Sequence, residues 1–280
     1  MSGTLFVVAT PIGNLEDITV RALRVLREAA VIAAEDTRRT AQLLARHAIA
    51  TPTTSLHEHN EAEKSAALIA RLQRGESVAL VSDAGTPTVS DPGGLLIRAA
   101  IAAGLRVEPV PGPSAVLAAL SASGLPTESF TFLGFPPVRA KDRSEWFEKL
   151  NAVRGTIVFF EAPHRIQRTL HDLERHVGDC EAVICRELTK VYEDIVRGSL
   201  SALSKIALQG RGEFTVVVSI GQKTELNQAI SPPEIAAEFG VLTNMPGLTR
   251  RKAINILGKR HGIAPNRVYE MLEESKVSVE

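Results

Sequence analysis

The sequence predicts an α/β protein of two α/β domains, a parallel five-stranded sheet followed by a mixed sheet, with a small helical module at its C-terminal end. Three observations predict it. Short β-rich runs alternate with helix-patterned segments, the order that lays helices over parallel strands. Several of those runs empty into turns rich in glycine and proline, which punctuate strand ends. The last stretch has helical patterns and basic residues but no strand pattern.

Composition sets the bounds. With 280 residues and 44% hydrophobic content, the chain has material for two cores of ordinary size. Its formal net charge is zero, so any nucleic-acid surface must be local. Cys180 and Cys185 lack the second ligand pair that a zinc site needs, so no metal is expected and both read as core thiols in a reducing compartment. No apolar run reaches the roughly 20 residues of a membrane span. The opening "MSGTLFVVATPIG" lacks the basic start and cleavage pattern of a signal peptide, so the expected location is cytoplasmic.

The elements follow in order. "TLFVVA" (residues 4–9) reads as a strand, and "DITVRALRVLREA" as a helix with Val20, Leu23, Leu26 and Ala30 at helical spacing. Strands at residues 31–34, 53–56, 78–81 and 107–110 complete a first domain, residues 1–124. After "LGFPPVRAKDRS", the runs "GTIVFFEA", "EAVICREL", "EDIVRGSL" and "GEFTVVVSIG" give a second domain, residues 125–222. A polar, proline-bearing linker leads to the helical module, residues 233–280.

In that module, residues 249–267 carry Arg250, Arg251, Lys252, Lys259, Arg260 and Arg267 and no acidic residue. Ala253, Ile256 and Leu257, then Val268, Met271 and Leu272, fit two short amphipathic helices around residues 262–264, with Pro265 suited to a helix start. The pattern is helix-turn-helix-like. Basic helices of this kind suit RNA phosphates, and "PPVRAKDR" adds Arg139, Lys141 and Arg143 between the domains. The alternative is a solvated helical cap.

Three strand ends carry unusual turns: "ATPIGN" (residues 9–14), "SDAGTP" (82–87) and "VPGPSA" (110–115). In an open parallel sheet the carboxyl ends share one edge, where ligands bind, so the three turns are expected to converge on a ligand read largely by backbone. Neither GxGxxG nor GxxxxGK[ST] is present, which argues against a nicotinamide or nucleoside-triphosphate site.

The runs "VATPIGNLEDIT", "AAEDTRRT", "SDAGTPTVSDPG", "VPGPSA", "FFEAPHR" and "RELTKVYEDIVRG" together resemble the tetrapyrrole-methylase superfamily, and within it the ribosomal branch, the 16S rRNA cytidine 2′-O-methyltransferases. The resemblance runs through residues 4–221. It implies S-adenosylmethionine (SAM) in a cleft between two α/β domains. It also implies 16S rRNA in the 30S subunit as substrate, at cytidine-1402 of the decoding centre, and a homodimer. By resemblance, Asp83, Ala84 and Gly85 lie along the methionine part of the cofactor, with Thr88 beside them. Pro11, Ser114 and Ala115 match cofactor-side positions, and Phe160 matches the position near the adenine. Where the small-molecule methylases have "GGDP" this chain has "DAGT", which favours the ribosomal branch.

Methyl transfer to a ribose hydroxyl needs alignment, and a base or cation that favours the ionised oxygen. The candidates are Glu35, Asp36 and Arg38 from "AEDTRR", Glu161 and Arg165 from "EAPHR", and Glu187 and Lys190 from "CRELTK". His164 reads as structural. For each candidate the alternative is a helix cap or a surface ion pair, Asp36 above all. Two other readings stay open. A tetrapyrrole methylase would need a broad apolar cleft, whereas only 4% of residues are aromatic. A non-catalytic RNA-binding assembly protein would carry vestigial cofactor loops.

Overall fold

The computed structural model describes residues 2–150, 152–206, 212–221, 232–243, 249–261 and 265–277. They fall into two compact units, Met1–Gly221 and Gln222–Glu280.

The first unit begins with strands β1 (Thr4–Val8), β2 (Val31–Ala34), β3 (Thr53–Ser55), β4 (Val78–Val81) and β5 (Arg106–Val110). They pair in the order β3-β2-β4-β1-β5, every pair parallel. β2 (VIAA) and β4 (VALV) are buried at every position, as strands covered on both faces must be. Helices α1 (Val20–Glu28) and α2 (Thr37–Arg46) close one face over Val8, Ile32 and Val81. Helices α3 (Glu61–Gln73) and α4 (Gly94–Ala102) close the other over Leu5, Val31 and Leu80.

The buried face of α1 differs from the sequence reading. Ala22, Val25 and Leu26 are buried, whereas Val20 is 85% exposed and Ala30 lies past the helix end. Thr19 caps the helix by accepting from the Ala22 N–H, which leaves Val20 in the first, solvent-facing turn. Ala30 instead leads into β2, its N–H donating to the Ser77 carbonyl.

Helix α5 (Ala115–Ser123) follows β5, and a second sheet is built from β6 (Phe130–Phe132), β7 (Gly155–Glu161), β8 (Glu181–Arg186), β9 (Asp194–Ser199) and β10 (Phe214–Ile220). The order is β6-β7-β10-β8-β9; β6 runs parallel to β7 and every other pair is antiparallel, so the sheet is mixed. The sequence reading lacks β6. Only three residues long, it pairs with β7 alone and leaves Phe130 and Thr131 exposed, so neither length nor alternation marks it.

Helices α6 (Ala140–Leu150), α7 (Ile166–Val177) and α8 (Leu200–Leu203) pack Phe147, Ile166, Leu170, Leu173 and Leu203 against one face of this sheet, over Phe159 and Phe214. The opposite face is covered by α5, whose Val116, Ala119 and Leu120 meet Val158, Val183 and Val217. The helix that follows the first sheet is thus core to the second. Cys185 is fully buried and Cys180 partly so; burial pushes both thiols up to about 11, which leaves them unreactive at neutral pH.

In the second unit, α9 (Pro232–Thr243), α10 (Arg250–His261) and α11 (Pro265–Val277) share a small core of Ile235, Leu242, Ala253, Leu257, Val268, Met271 and Leu272. The apolar faces of α10 and α11 are those expected from sequence, with Ile256 at the edge. Helix α9 is an addition to the two-helix reading, contributing Ile235 and Leu242. Residues 262–264 and most of the linker lie outside the described residues.

Candidate active site

The carboxyl edge of the first sheet gathers the three turns. Thr10 and Gly85 exchange both backbone hydrogen bonds, at 2.9 and 3.0 Å, stitching the turn after β1 to the turn after β4. The Thr10 hydroxyl also donates to the Ser82 carbonyl, 3.1 Å. Thr86 reaches the Pro113 carbonyl in the turn after β5, 3.5 Å. Gly85 holds φ +77°, a conformation that a side chain resists. Ser114 caps α5 by accepting from the Leu117 N–H.

Together with strand ends of the second sheet, these turns enclose a cavity of about 400 Å³. From the first sheet it takes Ile12, Glu35, Arg39, Asp83, Ala84, Gly85, Thr86, Val89, Ser90, Asp91, Ser114, Ala115 and Val116. From the second it takes Phe135, Phe160, Glu161, Ala162, Pro163, Glu213, Phe214 and Thr215. Phe160 is held by ring contacts with Phe132 and Phe135, at centroid distances of 5.0 and 5.4 Å.

The lining also carries a group of carboxyls. Asp83 Oδ1 accepts from the Asp36 N–H at 2.9 Å, Asp83 Oδ2 sits 3.3 Å from Arg39 Nη1, and Glu35 Oε2 accepts from the Asp83 N–H at 3.3 Å. Burial, then the neighbouring Asp83 charge, raises the Glu35 carboxyl. The Asp91 carboxyl is pushed up to about 6, first by burial and then by the charges of Glu35 and Asp83. Three carboxyls crowd one another here, and the Arg39 guanidinium pairs with Asp83. A cation placed among them relieves their repulsion.

Glu161, at the end of β7, also reaches the cavity but is 1% exposed and held from beneath. It accepts from the Ala162 N–H, from Thr169 and from Arg165, whose Nε is 3.3 Å away. Arg165 is spent on Glu161 and on the carbonyls of Pro136 and Pro137.

A second cavity, about 450 Å³, adjoins the first. Thr10, Pro11, Ile12, Gly13, Leu15, Arg39, Thr40, Gln42, Leu43, Ser82, Asp83, Ala84, Lys190 and Glu213 line it. Lys190 Nζ donates to Glu187 Oε1 at 2.9 Å and to Glu213 Oε2 at 3.0 Å. Burial works to lower the Lys190 ammonium, but its bonds to Glu187 and Glu213 outweigh that and raise it, so it stays charged.

Of the residues singled out from sequence, Glu35, Asp83, Ala84, Gly85, Ser114, Ala115, Phe160 and Glu161 meet at the first cavity. Pro11 and Lys190 line the second. Asp36, Arg38, Thr88, Arg165 and Glu187 line neither. Asp36 caps α2 and pairs with the exposed Arg38 at 2.8 Å, and its hydrogen bonds to Arg38 hold it down at about 2. The cap reading of Asp36 describes that geometry. Sequence reasoning missed Arg39, Asp91 and Glu213. Arg39 is one helical step beyond Arg38, Asp91 lies inside the long turn after β4, and Glu213 directly precedes β10; their spacing gave no signal.

The basic residues divide. Arg139 and Lys141 are exposed. Arg143 corrects the sequence expectation: it is 8% exposed, and its guanidinium bonds Thr169 and Asp172 beneath Glu161, at 2.8 and 3.3 Å, out of reach of a phosphate. In the second unit, Arg251 and Lys252 are exposed, while Arg250 pairs with Glu273 at 3.4 Å and lies over the Phe239 and Tyr269 rings. Arg267 pairs with Glu270 and Glu274, so α11 offsets part of the local basic charge. The side chains of Lys259 and Arg260 lie outside the described residues.

Known proteins share this architecture. Residues 4–204 match the family model of Tetrapyrrole (Corrin/Porphyrin) Methylases. The chain is 43% identical to Ribosomal RNA small subunit methyltransferase I of Halalkalibacterium halodurans over 279 residues, 97% of this chain and 95% of the relative. It is 45% identical to the Pseudomonas aeruginosa protein of the same name, with 96% of each covered. In fold it is similar to a diphthine synthase, at TM-score 0.61 and 19% identity, covering 78% of this chain and 90% of that one. It is also similar to Thermus thermophilus uroporphyrin-III C-methyltransferase, crystallised with S-adenosylhomocysteine, at TM-score 0.54 and 19% identity, covering 77% and 97%.

The family model and the sequence relatives therefore make this an α/β methylase of two sheets, with a cavity at the strand ends. The chain belongs to the tetrapyrrole methylase family and, within it, to the group of Ribosomal RNA small subunit methyltransferase I proteins. Its cofactor is SAM, which supplies an electrophilic methyl group when bound. The residues fit that molecule: Glu35, Asp83 and Asp91 suit its cationic portion, and the ring surface of Phe160 and Phe135 suits a purine.

Proposed function

We propose that the protein methylates the 2′-oxygen of a cytidine ribose in 16S rRNA, cytidine-1402 of the decoding centre, on the 30S subunit. The observation that carries the reading is the pair of adjoining cavities. One is lined by carboxyls and aromatic rings, and the other by polar groups with two cations on its wall. A tetrapyrrole would call for a broad apolar trough in place of the second. Names borne by relatives of nearly the same length support the RNA substrate.

In this reading Asp83, Ala84, Gly85, Ser114 and Ala115 hold the methionine side of the cofactor, and Phe160 its adenine. Glu35 and Asp91 balance its positive charge. The chain contributes alignment and charge placement, with no covalent intermediate. The two sheets, residues 1–124 and 125–222, act as the walls of the cleft. Residues 233–280, with Arg139 and Lys141, act on the RNA. Leu95, Ile101 and Leu117 on α4 and α5 are 43%, 62% and 57% exposed, apolar surface that supports a homodimer. The place of action is the cytoplasm, where 30S subunits are; among the described residues no helix is long and apolar enough to cross a membrane.

Radiolabel transfer from SAM to purified 30S subunits tests the reading. The expected label sits on one cytidine and blocks alkaline cleavage of the next phosphodiester bond, because the 2′-oxygen is capped. Label on a base, or on a porphyrin precursor in place of 30S, overturns it. Saturable SAM binding without transfer to either leaves a binding protein.

A further inference from the structure

We propose that the second cavity is the acceptor subsite, seating the ribose and adjoining phosphate of the target nucleotide, with Lys190 and Arg39 as its contacts. The inference rests on the RNA reading above and adds residues to it. Its first support is the shared wall. Ile12, Arg39, Asp83, Ala84 and Glu213 line both cavities, so the two adjoin along these residues. Displacement of a methyl group requires donor and acceptor in line on opposite sides of a short gap. Two adjoining cavities give the donor and the acceptor one place each.

The second support is an inventory of donors. A lysine ammonium has three N–H groups, and Lys190 spends two, on Glu187 and Glu213. The third is available to a ribose oxygen. Arg39, 65% exposed at its side chain, spends one nitrogen on Asp83 and keeps the rest of its fork for a phosphate oxygen. Gln42, exposed on the same helix, has no hydrogen bond among the described residues and can meet a base edge.

The third support is the backbone that presents Lys190. Glu187 and Thr189 hold φ of +51° and +66° without being glycine. Such strain persists only where surrounding contacts over-determine it. Those contacts are visible: the Asn14 N–H donates to the Thr189 hydroxyl at 3.1 Å, the Thr189 N–H donates to Glu193 at 2.6 Å, and Glu187 Oε1 accepts from the Glu213 N–H at 2.9 Å. A Cβ on Gly13 would fall 2.5 Å from Lys190 Cγ, so the turn after β1 and the Lys190 loop fit only with a glycine between them. The loop is held in a costly conformation that fixes Lys190 on the cavity wall.

The test uses the full-length protein with Lys190→Gln and Gln42→Ala, measuring kcat and KM for 30S subunits and, separately, SAM affinity by titration calorimetry. For Lys190→Gln we expect kcat/KM for 30S to fall by about ten-fold or more, the loss of a hydrogen bond to a charged donor, with SAM affinity within about two-fold of wild type. For Gln42→Ala we expect KM for 30S to rise with kcat unchanged. Should Lys190→Gln melt early, Gln42→Trp, on an exposed helix face, fills the same cavity and is expected to block 30S methylation while SAM still binds. Unchanged 30S kinetics in Lys190→Gln and Gln42→Trp, or loss of SAM affinity in step with 30S turnover, overturns the subsite. A wild-type enzyme that leaves 30S unlabelled overturns the RNA reading instead, so the two failures are distinct.

Discussion

Two charged clusters sit at strand ends of this protein and are built in opposite ways. Beneath Glu161, every carboxylate meets a cation or a hydroxyl: Arg143 and Arg165 face Glu161, Thr169 bonds it, and Arg143 and Arg168 reach Asp172. Around Asp83, Glu35 and Asp91 crowd together, Arg39 is the ion-pair partner of Asp83, and two of the three carboxyls are raised. The first cluster is closed on itself, and its worth is structural. The second carries uncompensated charge toward a cavity, where a cationic ligand completes it. Balance of charge, more than its density, separates a structural knot from a site.

The sharpest way to break the comparison is Gly85→Val. At φ +77°, on the cavity wall, a β-branched residue is strained and intrudes on the ligand. SAM binding is expected to vanish in titration calorimetry while far-ultraviolet circular dichroism stays native. Unchanged SAM affinity would remove this loop from the site.

Arg143→Met attacks the closed cluster. It removes the bonds of Arg143 to Thr169 and Asp172 and one of the two cations that face Glu161, a cost of about 1–3 kcal/mol. Urea denaturation is expected to show most of that loss, whereas SAM affinity of the folded fraction holds. A negligible stability change would mean that Arg165 and Thr169 hold Glu161 without Arg143.

Asp91→Asn sharpens the other side. In the folded chain the Asp91 carboxyl is held at about 6, above the ordinary 3.8, so the native state binds a proton more readily than the unfolded one. Stability is therefore lost as pH rises from about 4 through 6, and the asparagine variant is expected to melt higher than wild type at pH 8 but not at pH 4. SAM affinity has the opposite trend, increasing through the same window as the carboxylate forms. The variant should flatten that rise, leaving the part due to Glu35. An unaltered pH profile would exclude Asp91 from contact with the cofactor's charge.

The smallest effect belongs to the helical module. Neutralising Arg250, Arg251 and Lys252 together is expected to weaken 30S binding and to reduce the slope of log affinity against log salt by about one unit for each phosphate no longer gripped. Because Arg250 already pairs with Glu273, the expected reduction is about two units, not three. SAM affinity should not change. A wild-type salt response would make the module a solvated cap.

Much of this was legible in the chain. Nine of the ten strands described announce themselves, since β-rich runs such as "VALV" and "FTVVVSI" are continuous where both faces are buried. β6 does not, because three half-exposed residues carry no period. The cavity loops were legible through their glycine and proline turns. Arg39 and Arg38 were not separable: neighbours in sequence, they leave a helix about 100° apart, and only the docking of α2 decides that Arg39 faces Asp83 while Arg38 folds back on Asp36.

Local pattern and residues in fixed succession were enough for nine of the ten strands described, the turns at the carboxyl edge and the family. Which charges are spent and which are free was decided only by tertiary structure. Arg143 reads as one more basic residue in "PPVRAKDR", yet it is buried beneath Glu161. Asp91 reads as one more turn residue, yet burial beside Glu35 and Asp83 lifts its carboxyl to about 6. Electrostatic character depends on distance and dielectric surroundings, and both are set by segments that meet only when the two sheets close on one cleft.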